Sequence, residues 1–501
     1  MSSSAKALEF LKISSHFKLG HLPTEGFHPK TKDLSELVKA DAAAGLRLLS
    51  EVDHSSLEIM RSKTEELWRL AQDIQDTLAR GHKVFMCGCG ATGRLSLVLE
   101  TLYRQKFGHT DQVISFMAGG DFALIKSVES FEDKTEYGVR QLMELGMGPN
   151  DLLLASTEGG ETPFVIGAAN KAASYSSRKP YFLYCNPDEE LLPIERSREV
   201  IQNPKIHKVN LTVGPMAISG STRMQASTVL MLGIGVGLLY QHKTEEDFRV
   251  FYQDFLKNLG LTHYEALAPF TKLEARLYQE NKFLNYVTDP FLAISILTDT
   301  TERSPTFSLR PFENRQDAHA DHGLCYLFIP EAETSGHAWS ELLWRSPRPV
   351  EWEELDGRIG LERIFGFDIS HQGMKNRSLH VPTVDFSITY DDGRVLFKCQ
   401  KEEAVFEWGE DPLFNHLMVK MLLNAHSTAI MGILGRYQGN VMTWVRPSNN
   451  KLIDRSARYI QQLLKNSGKT ATYEAVVEKI YETIDELNEN EPVVLRVLEK
   501  F

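Results

Sequence analysis

Three glycine- and hydroxyl-rich segments of this sequence have the composition to hold an anion. Gly88-Cys89-Gly90-Ala91-Thr92-Gly93-Arg94 follows a short apolar run and opens a helical pattern. Amides at a helix N-terminus point at a negative charge, glycines let that charge come close, and the Thr92 hydroxyl can donate to it. Ser156-Thr157-Glu158-Gly159-Gly160-Glu161-Thr162-Pro163 repeats the arrangement, with Thr162 placed as a cap before Pro163 at the first helical position. The third segment, Ile218-Ser219-Gly220-Ser221-Thr222-Arg223-Met224, offers three hydroxyls and an arginine where a long helix begins, and capping alone needs one hydroxyl. Gly90, Ala91, Thr92, Gly93, Ser156, Thr157, Gly159, Ser219, Gly220 and Ser221 are the expected ligand contacts of these loops, with Thr92, Thr157, Ser219 and Ser221 on the anion. Glu158 and Glu161 do not suit an anion; they must point away or bind sugar hydroxyls, and Glu161 is placed among the ligand contacts.

The first segment also fits the G-x-G-x-x-G of a dinucleotide fold. There an acidic residue should close the next strand to hold a ribose. The run 113–117 ends instead in Ala118-Gly119-Gly120, with Asp121 late, so no nucleotide cofactor is expected. Two such loops on one sheet suit a monophosphate.

The elements that must carry these loops are legible as alternating patterns. Runs at 84–86, 113–117, 152–155, 181–184 and 208–213 read as strands separated by helical stretches, which implies a parallel sheet covered by helices. Ligands of such sheets sit beyond the carboxyl ends of the strands. Apolar residues recur at helical spacing over 33–80, a lead-in, and 228–240 reads as a buried helix whose glycines admit a close neighbour. After a charged helical stretch at 244–282, candidate strands appear at 293–297, 324–329, 363–368 and 384–390, then helices at 412–435 and from 451 to the end.

At 501 residues the chain exceeds one hydrophobic core, so two α/β domains are expected. A net charge of -12 leaves no cationic surplus for a phosphate backbone, so no nucleic-acid partner is expected. The longest uncharged apolar stretch falls short of the roughly 20 residues that span a bilayer. Five scattered cysteines fit a reducing compartment, and no secretory leader is read at the start, so the expected location is cytoplasmic with no membrane association. His319-Ala320-Asp321-His322 has a metal-like spacing without a third ligand and reads as solvated; Cys89 lacks an adjacent base and reads as packing.

The series G-x-G-x-[ST]-G-R, Ala118-Gly119-Gly120-Asp121, Val128-Glu129-Ser130-Phe131-Glu132-Asp133 and S-G-S-T-R-M resembles the sugar isomerase (SIS) domain. It is most similar to the group holding N-acetylmuramic acid 6-phosphate etherase and the glucokinase regulatory protein. Leu22-Pro23-Thr24-Glu25-Gly26 and Glu51-Val52-Asp53 resemble that family's N-terminal segment, and the fit covers nearly all of 22–240. In the second half Thr288-Asp289-Pro290-Phe291 stands where a phosphate loop would, without its glycines, while Thr301-Glu302-Arg303-Ser304 resembles the stretch bearing a catalytic glutamate. The matching position of the first half is Leu102. Asn449-Asn450-Lys451-Leu452 with Arg455 resembles the family's N-x-K-L helix start, whose asparagine and lysine reach the sugar phosphate.

The resemblance implies two doubly wound parallel-sheet SIS domains with flavodoxin-like layering. The division is a helical lead-in at 1–60, an SIS domain with phosphate loops at 61–282, a degenerate one at 283–456, and C-terminal helices at 457–501. The etherase works as a homodimer whose sites borrow from both subunits; a fused chain would build one composite site. Two functions follow. One is a hexose-phosphate-responsive regulatory protein with a sugar kinase as partner, favoured by the fused layout and the Gly-Pro run before Ser219. The other is an etherase, a lyase releasing lactate, in which Glu132 acts as base and Glu302 as acid. An aldose-ketose isomerase ranks third, because no histidine base stands near these loops.

Overall fold

The computed structural model describes residues 2–128, 130–317, 321–447, 449–484, 486–487 and 491–501. Four lead-in helices, α1 (Ser3–Ile13), α2 (Leu34–Ala40), α3 (Ala42–Met60) and α4 (Thr64–Ala79), precede the first sheet. That sheet then alternates strand and helix: β1 (Val84–Gly88), α5 (Gly90–Phe107), β2 (Val113–Met117), α6 (Thr135–Glu144), β3 (Leu152–Ser156), α7 (Pro163–Tyr175), β4 (Tyr181–Tyr184), α8 (Asp188–Leu191), α9 (Glu195–Ile201) and β5 (His207–Asn210). All five strands are parallel, in the order β2-β1-β3-β4-β5. Strands β1 to β4 are buried along their whole length, which is why each reads as a continuous apolar run and not as an alternation. The order reverses between β1 and β3, so the loops leaving those two strands diverge and open a crevice above their carboxyl ends. The first two glycine-rich segments are those loops.

Helix α10 (Gln225–Leu239) is buried throughout and leads through α11 (Glu245–Leu259) and α12 (Ala268–Gln279) to the second sheet. Gly237 lies against Ala71 of α4, where a Cβ would stand 3.1 Å from its Cα, so the close approach expected of this glycine is real. The second sheet follows: β6 (Phe283–Thr288), α13 (Ala293–Phe307), β7 (Cys325–Phe328), α14 (Ser335–Leu343), α15 (Leu361–Phe365), α16 (His371–His380), β8 (Thr383–Asp391), β9 (Arg394–Cys399) and β10 (Glu402–Glu407). Its centre, β7-β6-β8, is parallel and repeats the β2-β1-β3 arrangement, but the sheet continues as the antiparallel series β8-β9-β10. The chain ends with α17 (Pro412–Ile433), a small hairpin β11 (Tyr437–Gln438) and β12 (Val441–Met442), then α18 (Asn450–Asn466), α19 (Tyr473–Ile484) and α20 (Val493–Leu498). No helix among the described residues is long and apolar enough to cross a membrane.

Two expected strands are helical. Residues 293–297 open α13, where Ala293, Ile294, Ser295, Ile296 and Leu297 are all buried; a helix surrounded on every side gives the same short apolar run as an inner strand. Residues 363–368 overlap α15. Conversely β9 and β10 were not anticipated, although Asp392 and Gly393 both take positive φ in the tight turn that starts them.

Helices α10, α17, α5 and α13 pack together between the two sheets, and their meeting point is charged. Arg223, just before α10, donates to Asp299 of α13 at 3.0 Å. Arg303 donates to Asp299 at 2.9 Å and to Glu274 of α12 at 2.8 Å, and His426 of α17 stands 2.9 Å from Glu274. These groups are almost wholly buried, so each charge depends on its partner.

The loop that matches the first phosphate loop, after β6, is closed by its own chain. Asp289 accepts the Leu292 amide at 3.1 Å and the Tyr390 amide at 2.6 Å, which puts a carboxylate at the start of α13. Asp289→Ala should lower unfolding stability by about 1–2 kcal/mol in urea denaturation, through loss of its hydrogen bonds to the Leu292 amide and to β8. An unchanged midpoint would mean that these amides are satisfied without it.

Candidate functional site

A cavity of about 790 Å³ lies above the carboxyl ends of β1 and β3, between the two sheets. Its wall combines the lead-in at Leu22 and Glu25, the loops after β1 and β3, Glu132, Ser221 ahead of α10, Glu302 of α13, and Lys451 of α18. First-half and second-half residues therefore face the same space.

The structure divides the expected contacts. Gly90, Ala91, Gly159, Glu161, Gly220, Ser221, Asn449, Lys451, Arg455, Glu132 and Glu302 line the cavity. Thr92, Gly93, Ser156, Thr157 and Ser219 do not. The Thr92 hydroxyl accepts the Cys89 amide at 3.0 Å and donates to the Cys89 carbonyl at 2.8 Å, so it caps α5 instead of facing a ligand. Gly93 serves packing, since a Cβ there would stand 2.4 Å from Met117 Cβ. Thr157 shares a hydrogen bond with Thr162 at 2.8 Å, which also removes Thr162 from the capping role expected of it. Ser219 donates to the Glu25 carbonyl at 3.1 Å. What remains at the start of α5 are the amides of its first turn, which precede the first intrahelical bond and border the cavity at Gly90 and Ala91. Ser221 Oγ and Ser156 Oγ are sealed from solvent without a hydrogen-bond partner among the described residues.

Acidic side chains already hold the cations of the cavity. Lys451 donates to Glu161 at 2.8 Å, and Arg196 holds the other Glu161 oxygen at 2.5 Å. Burial would raise the Glu161 carboxyl, but Lys451 and Arg196 outweigh it and bring it down to about 2. Glu25 repeats the pattern: burial opposes Arg455 and Arg458, the two arginines prevail, and its carboxyl falls to about 2. Arg455 contacts Glu25 at 2.5 Å and 3.0 Å, so the lead-in is strapped across α18. Asn449 accepts the Leu452 amide at 2.9 Å and caps α18, which fixes Lys451 in the first turn.

The other carboxylates are shifted upward. Burial raises Glu132 against the pull of Lys451. It raises Glu302 against Arg94, Arg223 and Lys420. Glu158 goes furthest, pushed up to about 7 by burial and by the charge of Glu302. Separated carboxyls of this kind can divide acid and base work. The Cys89 thiol is driven up by burial and is no nucleophile.

Sequence reasoning found the loops but missed the strap and the roles of Arg94, Arg196 and Arg458. Glu25 was visible only as part of a recognised N-terminal segment. Arg94 donates to the carbonyls of Leu124 and Ala123, both at 3.2 Å, which nothing in its motif announces. Of the metal-like segment, His319 and Ala320 lie outside the described residues; Asp321 pairs with Arg310 at 2.8 Å and His322 with Glu313 at 2.9 Å.

A family model for the glucokinase regulatory protein N-terminal SIS domain matches residues 66–173. The N-acetylmuramic acid 6-phosphate etherase of Rippkaea orientalis is 30% identical over 218 residues, 43% of this chain and 67% of that protein. That of Yersinia pestis (strain Pestoides F) is 31% identical over 215 residues, 43% of this chain and 68% of that one. The match thus spans about two thirds of the etherases' own length. Among solved structures, tagatose-6-phosphate ketose/aldose isomerase from Escherichia coli aligns over 82% of this chain and 99% of its own at 10% identity, with a TM-score of 0.42.

Glu158 gives this site a stability signature. Its folded value of about 7 lies above the ordinary 4.5, so its contribution is full below about 4.5 and is lost as pH rises through about 7. Glu158→Gln does not titrate. Relative to wild type it should therefore gain about 3 kcal/mol between pH 4.5 and pH 8, by denaturant melts at several pH values. A difference that stays constant with pH would contradict the burial assigned to this carboxyl.

Proposed function

The chain belongs to the sugar isomerase (SIS) domain group that holds the N-acetylmuramic acid 6-phosphate etherases and the glucokinase regulatory protein, and on that premise we propose a lyase of the etherase type. It is an SIS phosphosugar-binding protein; the finer reading is that it releases lactate from N-acetylmuramic acid 6-phosphate. One observation carries this reading: Glu132 of the first half and Glu302 of the second border one cavity, together with the helix-start residues Gly90 and Ala91, Ser221 and Lys451. The division into a phosphate-binding domain at 61–282 and a degenerate one at 283–456 belongs to the same reading, as does a cytoplasmic location.

The residues divide the work as follows. The ligand phosphate meets the Gly90 and Ala91 amides and the Ser221 hydroxyl, and it shares Lys451 with Glu161. Charge-assisted bonds of this kind are the strong ones. Elimination of the lactyl ether needs a base for the proton beside the open-chain carbonyl and an acid for the departing oxygen. Glu132 is the base, and Glu302 is the second carboxyl of the reaction.

A second reading is favoured by the regulatory-protein family model over 66–173. There the same pocket senses a hexose phosphate and changes the grip on a sugar kinase, with the glutamates binding hydroxyls only.

Lactate release separates the two readings. Wild type should produce lactate from N-acetylmuramic acid 6-phosphate, and Glu132→Gln and Glu302→Gln should each slow it by about 10²-fold or more. Lys451→Met should weaken binding of sugar 6-phosphates by about 10- to 100-fold in thermal-shift titration. Stabilisation by a hexose phosphate without any lactate would support the regulator instead.

A further inference from the structure

The loop after β3 carries a carboxyl that neither reading uses. Glu158 borders the same cavity as Glu132 and Glu302, is 8% exposed, and its Oε1 is sealed without a hydrogen-bond partner among the described residues. A charge on that oxygen would be buried without a hydrogen bond, and the pull of the loop backbone, Lys451 and Lys420 on the carboxyl does not outweigh that burial. Glu302 stands in a different field. Behind it lies a second hollow of about 10 Å³, room for one water, bordered by Arg94 and by the buried ammonium of Lys420. Arg94 gives its hydrogen bonds to carbonyls. Lys420 donates to the Arg223 carbonyl at 3.0 Å and to the Thr228 hydroxyl at 2.8 Å. The hydrogen bonds of both cations go to neutral groups, and Glu302 is the carboxyl that acts most strongly on each, ahead of Glu158 at Arg94 and of Asp53 at Lys420. Glu158 does not border that hollow. The strongest charge acting on it is Glu302 itself, which adds to burial in holding its proton.

We propose that Glu158 is the catalytic acid of this site, and that the neighbouring Glu302, which faces Arg94 and Lys420 across the small hollow, is not. This rests on the etherase reading and reassigns the acid that the family resemblance places on Glu302. The base takes the proton from the carbon next to the carbonyl, and that C–H electron pair becomes the new carbon–carbon double bond. The ether C–O bond breaks, its pair stays on oxygen, and the Glu158 proton moves to that oxygen as lactate leaves. Glu158 is left as a carboxylate and regains a proton from water. Two neighbouring carboxyls cannot both ionise at low cost in a buried site, so one is kept protonated for donation.

The experiment compares two leaving groups on wild type, Glu158→Gln and Glu302→Gln. With the lactyl ether, Glu158→Gln should fall about 10²- to 10⁴-fold and lack the decline in kcat expected of wild type as pH rises through about 7. With a p-nitrophenyl ether at the same carbon, whose oxygen leaves without a proton, Glu158→Gln should recover to near the wild-type rate and Glu302→Gln should not. That recovery also shows that the variant is folded. Should Glu158→Gln fail to fold, wild type alone supplies the readout: its decline above pH 7 should be present for the lactyl ether and absent for the nitrophenyl ether. An unchanged pH profile in Glu158→Gln, rescue of Glu302→Gln instead, or the same decline with both ethers overturns this assignment alone. Absence of lactate from wild type overturns the etherase reading, and the acid role with it.

Discussion

The ion pair between Arg223 and Asp299 joins the two halves at the point where they share a site. Arg223 follows Ser221 and Thr222 and is with them part of the cavity wall just before α10; Asp299 lies one turn before Glu302 on α13. Arg303 extends the link to Glu274 and His426, so four helices are fixed by charges with no solvent to replace a lost partner. Such networks add little net stability against an apolar core, but breaking one partner leaves an uncompensated charge. Their consequence here is geometric. The serine that borders the anion end and the carboxylate of the second half are tied to one set of hydrogen bonds, and neither sheet can shift without disturbing both.

The rest of the cavity follows from how its charges are already committed. Glu161 and Glu25 hold Lys451 and Arg455 before any ligand arrives, which keeps the cations buried and aimed. A sugar phosphate would then enter a site whose lysine is oriented but not idle, and it must compete with or reinforce Glu161. The acidic surplus of Glu132, Glu158 and Glu302 borders the same cavity, where burial and Glu302 favour a proton on Glu158. Oriented cations and proton-holding carboxyls thus arise from one feature, carboxylates placed where water is excluded.

The first sheet was legible because its strands are buried on both faces and each is a short unbroken apolar run between helical patterns. The second was legible only in part. At 293–297 a helix enclosed on every side, α13, carries the same run as a strand. The hairpin β9-β10 shows alternation at Val395, Phe397 and Cys399 after Asp392-Gly393, a signal present in the residues but weak beside the charged positions between them. In the site, glycines reported loop positions faithfully, since Gly90, Gly159 and Gly220 all border the cavity. Hydroxyls did not: Thr92 and Thr157 commit theirs to local turns, an alternative open to any short polar side chain, and Ser219 gives its own to the Glu25 carbonyl of the lead-in. Glu158 and Glu161 look out of place in an anion loop, and only the positions of Lys451, Arg196 and Glu302 explain why they are there.

A co-crystal structure with N-acetylglucosamine 6-phosphate tests the central claim most directly, that one phosphorylated sugar lies between the two halves with its anion at the start of α5. The account requires one ligand per chain, its phosphate within hydrogen-bond distance of the Gly90 and Ala91 amides and of Lys451, and its ring facing Glu132 and Glu302. A phosphate bound elsewhere, or a cavity left empty at saturating ligand with Lys451 still paired only to Glu161, would contradict it.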